Sequence, residues 1–318
     1  MLALLLAGVL SAGGYDGGTT LCTLRDARIG EASGLEASAV YDDVLYAHND
    51  SGDTARFFAI GRSCRTQATY VLKGVQARDW EDISRGPRNT LWLGDIGDNS
   101  STRERGILIH RVPEPKPATG TVEMPSVAFR FVYADGPHDA EALLVHPRTG
   151  QVMVVTKGFG GGALYAAPLP LQAAKPNVLQ RVARVSIPEV TAGDISPDGS
   201  RVVLRNYAAA YEWDVQDGDV AAAMKEEPTR IPLPRSAQGE AITYSHDGRS
   251  LIVTSEGAGA AVQVLSRSVV ASPTPSSRTR SVSASHRPDV LTVAVVAAAL
   301  LLLAGLVGLR RTRHRDAR

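Results

Sequence analysis

The sequence predicts an all-β domain followed by one transmembrane helix. Three observations support this prediction: one pattern recurs about every 50 residues, short apolar runs lie between the repeats without a helical period, and residues 290–309 contain no charge. A repeat of this length suits a four-stranded propeller blade. We therefore predict a β-propeller over residues 22–268 with five four-stranded blades. Six blades, or a pair of β-sandwiches, are the alternatives.

The two ends of the chain predict its place in the cell. Residues 1–14 contain a short apolar run followed by small residues, which is typical of a secretory signal peptide. Residues 271–289 are rich in Ser, Thr and Pro, and we expect a stalk there. The uncharged run 290–309 is long enough to cross a bilayer, and the arginine-rich tail 310–318 should stay in the cytoplasm. The prediction is a single-pass protein of the cell membrane with its N-terminal domain outside.

The charge distribution excludes one class of partner. The net charge of +1 hides a basic end, because eight arginines and two aspartates follow residue 277 and leave 34 − 8 = 26 basic and 33 − 2 = 31 acidic residues before it. An acidic domain does not favour nucleic acid, whose phosphates need a basic face. We expect an extracellular ligand or another envelope protein as the partner, and the membrane as a second partner through the helix.

Two cysteines, Cys22 and Cys64, lie in the part that we place outside the cell. An oxidising compartment favours a disulfide between them, and two unpaired buried thiols are the alternative. The segment 19–29, which contains Cys22, could supply the last strand of the fifth repeat and close the ring. Closure would remove an unpaired strand edge.

The five repeats share one order of residues. Each begins with a small or acidic lead-in, continues into an apolar strand and a turn, and ends in a second apolar strand followed by polar residues. The starts are Glu31, Glu81, Glu141, Thr191 and Glu240. Thr191 departs from the pattern, and Asp194 three residues later should point to the opposite face of its strand.

Some of these residues resemble known propeller families. The turns Ser196–Gly199 and Ser245–Gly248 resemble those of WD40-like (PD40) repeats, and the glutamates at the strand starts resemble those of β-propeller phytases and phytase-like esterase domains of secreted bacterial proteins. The resemblance covers residues 22–268 in architecture. It implies an acidic upper face that is lined with calcium and that binds and cleaves phosphoesters.

The start of the first strand and the end of the second strand of a blade emerge on the same face, because the two strands are antiparallel. We expect the carboxylates there to bind calcium: Glu31, Asp50, Asp53, Glu81, Asp95, Asp98, Glu141, Glu240 and Glu256. The two Asp-x-Gly-Asp loops suit a hard cation, although plain turns are the alternative. Lys157 and Arg205 should act as internal counter-ions or contact an anionic ligand. His48, beside Asn49 and Asp50, is a third candidate for ligand binding at this face, and a structural role is the alternative.

The predicted function is a membrane-tethered extracellular binding module with an acidic face that binds calcium. The alternative is a metal-dependent phosphoric ester hydrolase of the phytase-like kind, in which the same face activates water. No nucleophile motif of the G-x-S-x-G type occurs, so the sequence assigns no catalytic residue.

Overall fold

The computed structural model describes residues 14–268. Apart from Gly14, the predicted signal peptide lies outside this range, and so do the predicted stalk, transmembrane helix and cytoplasmic tail. Within the described residues, no helix has the length and apolar character needed to cross a membrane. The only helix in that range is a single turn, and the remaining elements are strands.

The strands form five antiparallel groups that follow one another along the chain. Strand β1 (Thr19–Thr23) comes first and belongs to the last group. The first group contains β2 (Ala32–Ala37), β3 (Leu45–Asn49), β4 (Arg56–Ile60) and β5 (Thr66–Leu72). The second contains β6 (Trp80–Gly86), β7 (Thr90–Asp95), β8 (Ile107–Pro113) and, after β9 (Gly120–Met124), β10 (Val127–Tyr133). Strand β9 pairs in parallel with β5 instead.

The other three groups have the same order. The third contains β11 (Ala140–Val145), β12 (Val152–Thr156), β13 (Gly162–Ala166) and β14 (Asn177–Val185). The fourth contains β15 (Val190–Ile195), β16 (Arg201–Asn206), β17 (Ala209–Asp214) and, after the helix α1 (Val220–Ala223), β18 (Thr229–Pro232). The fifth contains β19 (Gly239–Tyr244), β20 (Ser250–Ser255) and β21 (Ala261–Ser266), and β1 completes it.

The first strands of the groups pack side by side in the order β2, β6, β11, β15 and β19, and β19 packs against β2. All five are buried along their whole length, because each has neighbours on both faces. Parallel pairing of β10 with β14 joins the second and third groups into one eight-stranded sheet. The architecture is all-β and propeller-like.

Strand β1 pairs antiparallel with β21 and so adds the fourth strand to the fifth group. Its Cys22 forms a disulfide with Cys64, which lies in the turn between β4 and β5, and the two Cα atoms are 5.7 Å apart. The predicted disulfide is confirmed. It links the strand that completes the fifth group to the first group.

The apolar core is divided into five clusters, and each lies between two neighbouring groups. Trp80 packs with Phe57 and Leu91 between the first and second groups. Trp213 packs on the outer side of the interface between the third and fourth groups. Because each cluster requires both neighbours, burial of apolar area favours the complete ring over any separate group.

Candidate cation site

A β-bulge occurs at the same place in each group, where the first strand begins to pair with the second. In the first four groups the regular pairing skips one residue, in order Ser33, Glu81, Glu141 and Thr191. In the fifth group it skips Glu240 and Ala241, and Glu240 is the equivalent residue. Bulges redirect side chains and are common beside functional sites. Five equivalent side chains are therefore redirected at one end of the inner strands, and three of them are glutamates.

The bulges show that the first repeat is aligned differently from the sequence prediction. Ser33, and not Glu31, occupies the position equivalent to Glu81, whereas Glu31 precedes β2 and is exposed. The Ser33 hydroxyl donates a hydrogen bond of 2.5 Å to the carbonyl oxygen of Glu81. Thr191 likewise donates to the carbonyl oxygens of Gly239 and Glu240, both at 3.1 Å. The two hydroxyl side chains thus bond to the backbone of the next group.

The residues two positions before the bulges are Glu31, Asp79, Asp139, Glu189 and Gln238. Of these, Asp79 and Asp139 are acids of the site that the sequence did not predict. An acid–x–Glu pattern at 79–81 and at 139–141 was the signal that could have revealed Asp79 and Asp139. Both lie in the loops immediately before the inner strands β6 and β11.

Five carboxylates form two overlapping triads. Oxygen atoms of Asp50, Asp79 and Glu81 lie within 4.8 Å of one another, and so do oxygen atoms of Glu81, Asp139 and Glu141. We call these five residues the acid cluster. Glu81 belongs to both triads. A Cβ atom at Gly97 would lie 2.1 Å from Glu81 Oε1 and 2.6 Å from Asp79 Oδ2, so a larger residue there would displace both carboxylates.

The acid cluster has little compensating positive charge. Glu81 is only 4% exposed, and its carboxylate accepts no hydrogen bond from any residue between 14 and 268. Lys157 Nζ lies 2.8 Å from Glu141 Oε1 and 3.2 Å from the Tyr207 hydroxyl. Lys157 therefore neutralises Glu141 and leaves the other four carboxylates without an ion pair at this distance.

The pKa values of three carboxylates of the cluster, Glu81, Glu141 and Asp79, are raised. Burial, with repulsion from Glu141 and Asp50, raises the pKa of Glu81 well above its usual range. Burial raises the pKa of Glu141 to about 8, although Lys157 acts against it. Burial and the neighbouring aspartates raise the pKa of Asp79 to about 6. The cluster therefore holds protons near neutral pH unless a cation takes their place.

Two of the other predicted ligands lie at the fifth group. Glu240 is buried, and burial together with the charge of Glu256 raises its pKa to about 7. Burial, with repulsion from Asp50 and Glu31, also raises the pKa of Glu256. These side chains extend the negative potential of the acid cluster but do not belong to either triad.

Asp53 is held by other groups. Its carboxylate accepts hydrogen bonds from Arg56 Nε at 2.9 Å and from Asn49 Nδ2 at 2.7 Å. Burial acts to raise the pKa of Asp53, but these bonds lower it below the usual value. The first Asp-x-Gly-Asp loop therefore contributes only Asp50 to the cluster.

The second Asp-x-Gly-Asp loop supports the site without joining it. Asp95 pairs with Arg103 at 2.5 Å and accepts the backbone N–H of Asp79 at 3.3 Å. Asp98 accepts the backbone N–H of Arg103, and its own N–H donates to Asp139 Oδ1, both at 2.7 Å. The loop thus positions Asp79 and Asp139, which do belong to the triads.

His48 and Arg205 are both buried within the fold. His48 packs edge-to-face on Trp80, with ring centres 5.5 Å apart, and burial lowers its pKa. Arg205 is 2% exposed and donates to the carbonyl oxygens of Ala241 at 2.9 Å and Thr254 at 3.1 Å. These bonds link the fourth group to the fifth, so the guanidinium is not free to meet a ligand.

Aspartates further along the inner strands bond neighbouring groups together. Asp82 accepts the backbone N–H groups of Leu143 at 2.9 Å and Gly193 at 3.2 Å. Asp194 accepts the N–H of Tyr244 at 2.8 Å. Both carboxylates are fully buried and face other inner strands, so they hold the ring together beneath the acid cluster.

Comparison with solved structures finds matches of low similarity. A luciferin-regenerating enzyme is 10% identical with a TM-score of 0.44, covering 80% of this chain and 98% of that chain. The soluble aldose sugar dehydrogenase from Escherichia coli, in its apo-form, is 9% identical with a TM-score of 0.47, covering 79% and 99%. A chain of a mitotic checkpoint complex is 12% identical with a TM-score of 0.38, covering 74% and 63%. No protein-family model and no curated protein matches the chain.

Proposed function

We propose that the chain is a five-bladed β-propeller whose acid cluster binds calcium, and that it acts as an extracellular binding module tethered to the cell membrane. The supporting observation is Glu81, a buried carboxylate that no described residue pairs and that two triads share. A buried charge without a partner is costly, so a site of this kind either stays protonated or binds a cation.

Calcium is the cation that fits this set of donors. It takes six to eight oxygen ligands at about 2.3–2.6 Å in flexible geometry, and it prefers carboxylates, carbonyls and water. Each triad offers three carboxylates, so several coordination positions remain for water or for an acidic group of a partner. A calcium ion at the end of the ring would therefore link the acidic domain to an anionic ligand.

Calorimetric titration of the purified full chain with calcium chloride at pH 8 tests this proposal. We expect saturable binding in the micromolar to millimolar range, with weaker binding of magnesium, which demands stricter geometry. The Glu81→Gln variant should lose the response. Glu31→Gln removes the same charge from an exposed position and should keep it. Absence of any binding at millimolar calcium would refute the proposal.

A metal-dependent phosphoesterase is the second candidate function, and the position of Lys157 favours it. Its Nζ atom lies beside Glu141 and its side chain is partly exposed, so a phosphate bound to calcium in this cluster would meet a positive side chain. Calcium-dependent release of phosphate from a panel of phosphoesters, lost in Glu81→Gln, would support this function. Calcium binding without release of phosphate would support the binding module and not the phosphoesterase.

The membrane tether is tested by protease accessibility in intact cells. Because the arginines of 310–318 should remain inside, a tag at the C-terminus should be protected while protease cuts within 271–289 and releases the domain. Digestion of the C-terminal tag before the stalk would show that the orientation is wrong.

A further inference from the structure

A cleft of about 230 Å³ lies between the second and third groups. Its walls are the turn between β6 and β7, the turn between β11 and β12, and the segment Leu169–Leu171 that follows β13. The acid cluster lies at the starts of β6 and β11, whereas these turns lie at their ends. The cleft is therefore at the opposite end of the inner strands.

Three arginines, Arg88, Arg111 and Arg148, line the cleft, and no acidic residue does. The Arg148 guanidinium extends toward the turn between β15 and β16, where its Nη2 atom would lie 3.4 Å from a Cβ atom at Gly199, so Arg88 and Arg111 are the two candidates for binding an anion in the cleft. Within residues 14–268, none of the three lies within 4.0 Å of a carboxylate oxygen. Their charges therefore add to a positive potential that the protein itself does not balance.

The backbone of the β6–β7 turn indicates why an arginine stands at the mouth of the cleft. Arg88 and Asn89 have φ angles of 58° and 51°, both in the left-handed region, within the three-residue loop that the Gly86–Thr90 pair closes. Asparagine and glycine adopt this conformation readily, but a long side chain rarely does. Glycine would suit the turn better than Arg88 does, so the turn itself does not explain the arginine.

Aromatic side chains hold the second arginine in place. Trp92 and Phe129 stack with ring centres 5.4 Å apart, and the Arg111 guanidinium lies 5.5 Å from the first ring and 5.2 Å from the second. Packing against these rings limits the rotamers of Arg111. The opposite wall is apolar and includes Leu169, which is 48% exposed.

We infer that this cleft binds an organic anion, in which a phosphate or carboxylate group contacts Arg88 and Arg111 and a small apolar body packs against Leu169. Guanidinium groups match both anions with paired hydrogen bonds, which suits the unpaired Arg88 and Arg111. The volume admits a small ligand or the end of a larger one. This inference does not depend on the calcium proposal.

Titration with phenyl phosphate, followed by tryptophan fluorescence, tests the inference on the full chain. The buffer contains EDTA, so that calcium in the acid cluster does not contribute. Because Trp92 lies in the wall of the cleft, we expect a saturable change in emission. Phenol, which lacks the anion, should bind at least about tenfold more weakly, as expected for loss of a charged hydrogen bond.

The Arg88→Gly variant separates binding from folding. It should weaken phenyl phosphate binding about tenfold, while the relaxed turn leaves the melting temperature unchanged or raises it. Arg62→Ala removes an exposed arginine of the β4–β5 turn that pairs with Asp43, and it should bind like the wild type. Wild-type affinity in Arg88→Gly, or equal binding of phenol, would overturn the inference.

Titration with monomeric dihexanoyl phosphatidylglycerol tests whether the anion comes from a lipid headgroup or from a free phosphomonoester. Tighter binding of this lipid than of phenyl phosphate would indicate a lipid headgroup, and the reverse order would indicate a free phosphomonoester. Either order supports an anion site if Arg88→Gly weakens the binding. Failure of both compounds to saturate would refute the site.

Discussion

Replacing Glu81 by glutamine removes the carboxylate that both triads share and nearly keeps its shape. Glu81 pairs with no cation and accepts no hydrogen bond among the described residues, so the change breaks no ion pair. In the absence of calcium the substitution should therefore stabilise the protein. In the presence of calcium the variant should show little of the increase in stability that calcium gives to the wild type.

The size of the effect follows from the distances in the cluster. Two unit charges 4.8 Å apart repel by roughly 3.5 kcal/mol at an effective dielectric constant of about 20. Protonation in the folded state relieves part of this, so we expect a gain of about 1–3 kcal/mol at pH 8. For a domain of this size, each kcal/mol corresponds to about 2–4 °C in melting temperature.

Thermal unfolding of the wild type, Glu81→Gln and Glu31→Gln at pH 8 measures the effect, with EDTA or with millimolar calcium. The wild type should gain stability with calcium as RT ln(1 + [L]/Kd). Glu81→Gln should start several degrees higher and respond little, and Glu31→Gln should follow the wild type. A lower melting temperature of Glu81→Gln in EDTA, or equal shifts in both variants, would refute the reasoning.

Two further predictions concern pH and the disulfide. Because the pKa values of Glu141, Glu240 and Asp79 are raised to about 8, 7 and 6, the folded protein binds more protons than the unfolded chain, so without calcium the melting temperature should fall as the pH rises from 5 to 8. Saturating calcium should flatten this dependence, and a rise with pH in EDTA would contradict it. Cys22→Ser, which opens the link to Cys64, should lower stability by about 2–4 kcal/mol in thermal unfolding; labelling of both thiols in the native, unreduced protein would contradict the disulfide.

The sequence was sufficient to locate the inner strands because each is buried on both faces and begins at a regular interval. Glu81, Glu141 and Glu240 could be found in this way, since the bulge that redirects them recurs with the repeat. The first repeat was misaligned because a bulge leaves no mark in residue spacing. Its true position is held by Ser33, and the neighbouring Glu31 has the more conspicuous charge.

The two Asp-x-Gly-Asp loops show why residue type alone does not define a site. Both loops have the same four-residue pattern, but Arg56 holds the last aspartate of one, and Arg103 holds both aspartates of the other. Whether a carboxylate remains free depends on where nearby arginines lie in three dimensions. Asp79 and Asp139 precede their strands in loops, so their contribution depended on how those loops fold.

The pairing of β1 with β21 has a consequence for the order in which the chain folds. Thr19 lies opposite Val264, and the carbonyl oxygen of Gly14 accepts the N–H of Ser268 at 2.7 Å. Contacts of such high sequence separation form slowly, because nearly the whole chain must be ordered before they can form. A chain that is synthesised from its N-terminus therefore cannot complete the ring before Ala261–Ser266 has been made. A chain truncated before this strand would leave β20 and β1 with unpaired edges that can associate with other chains.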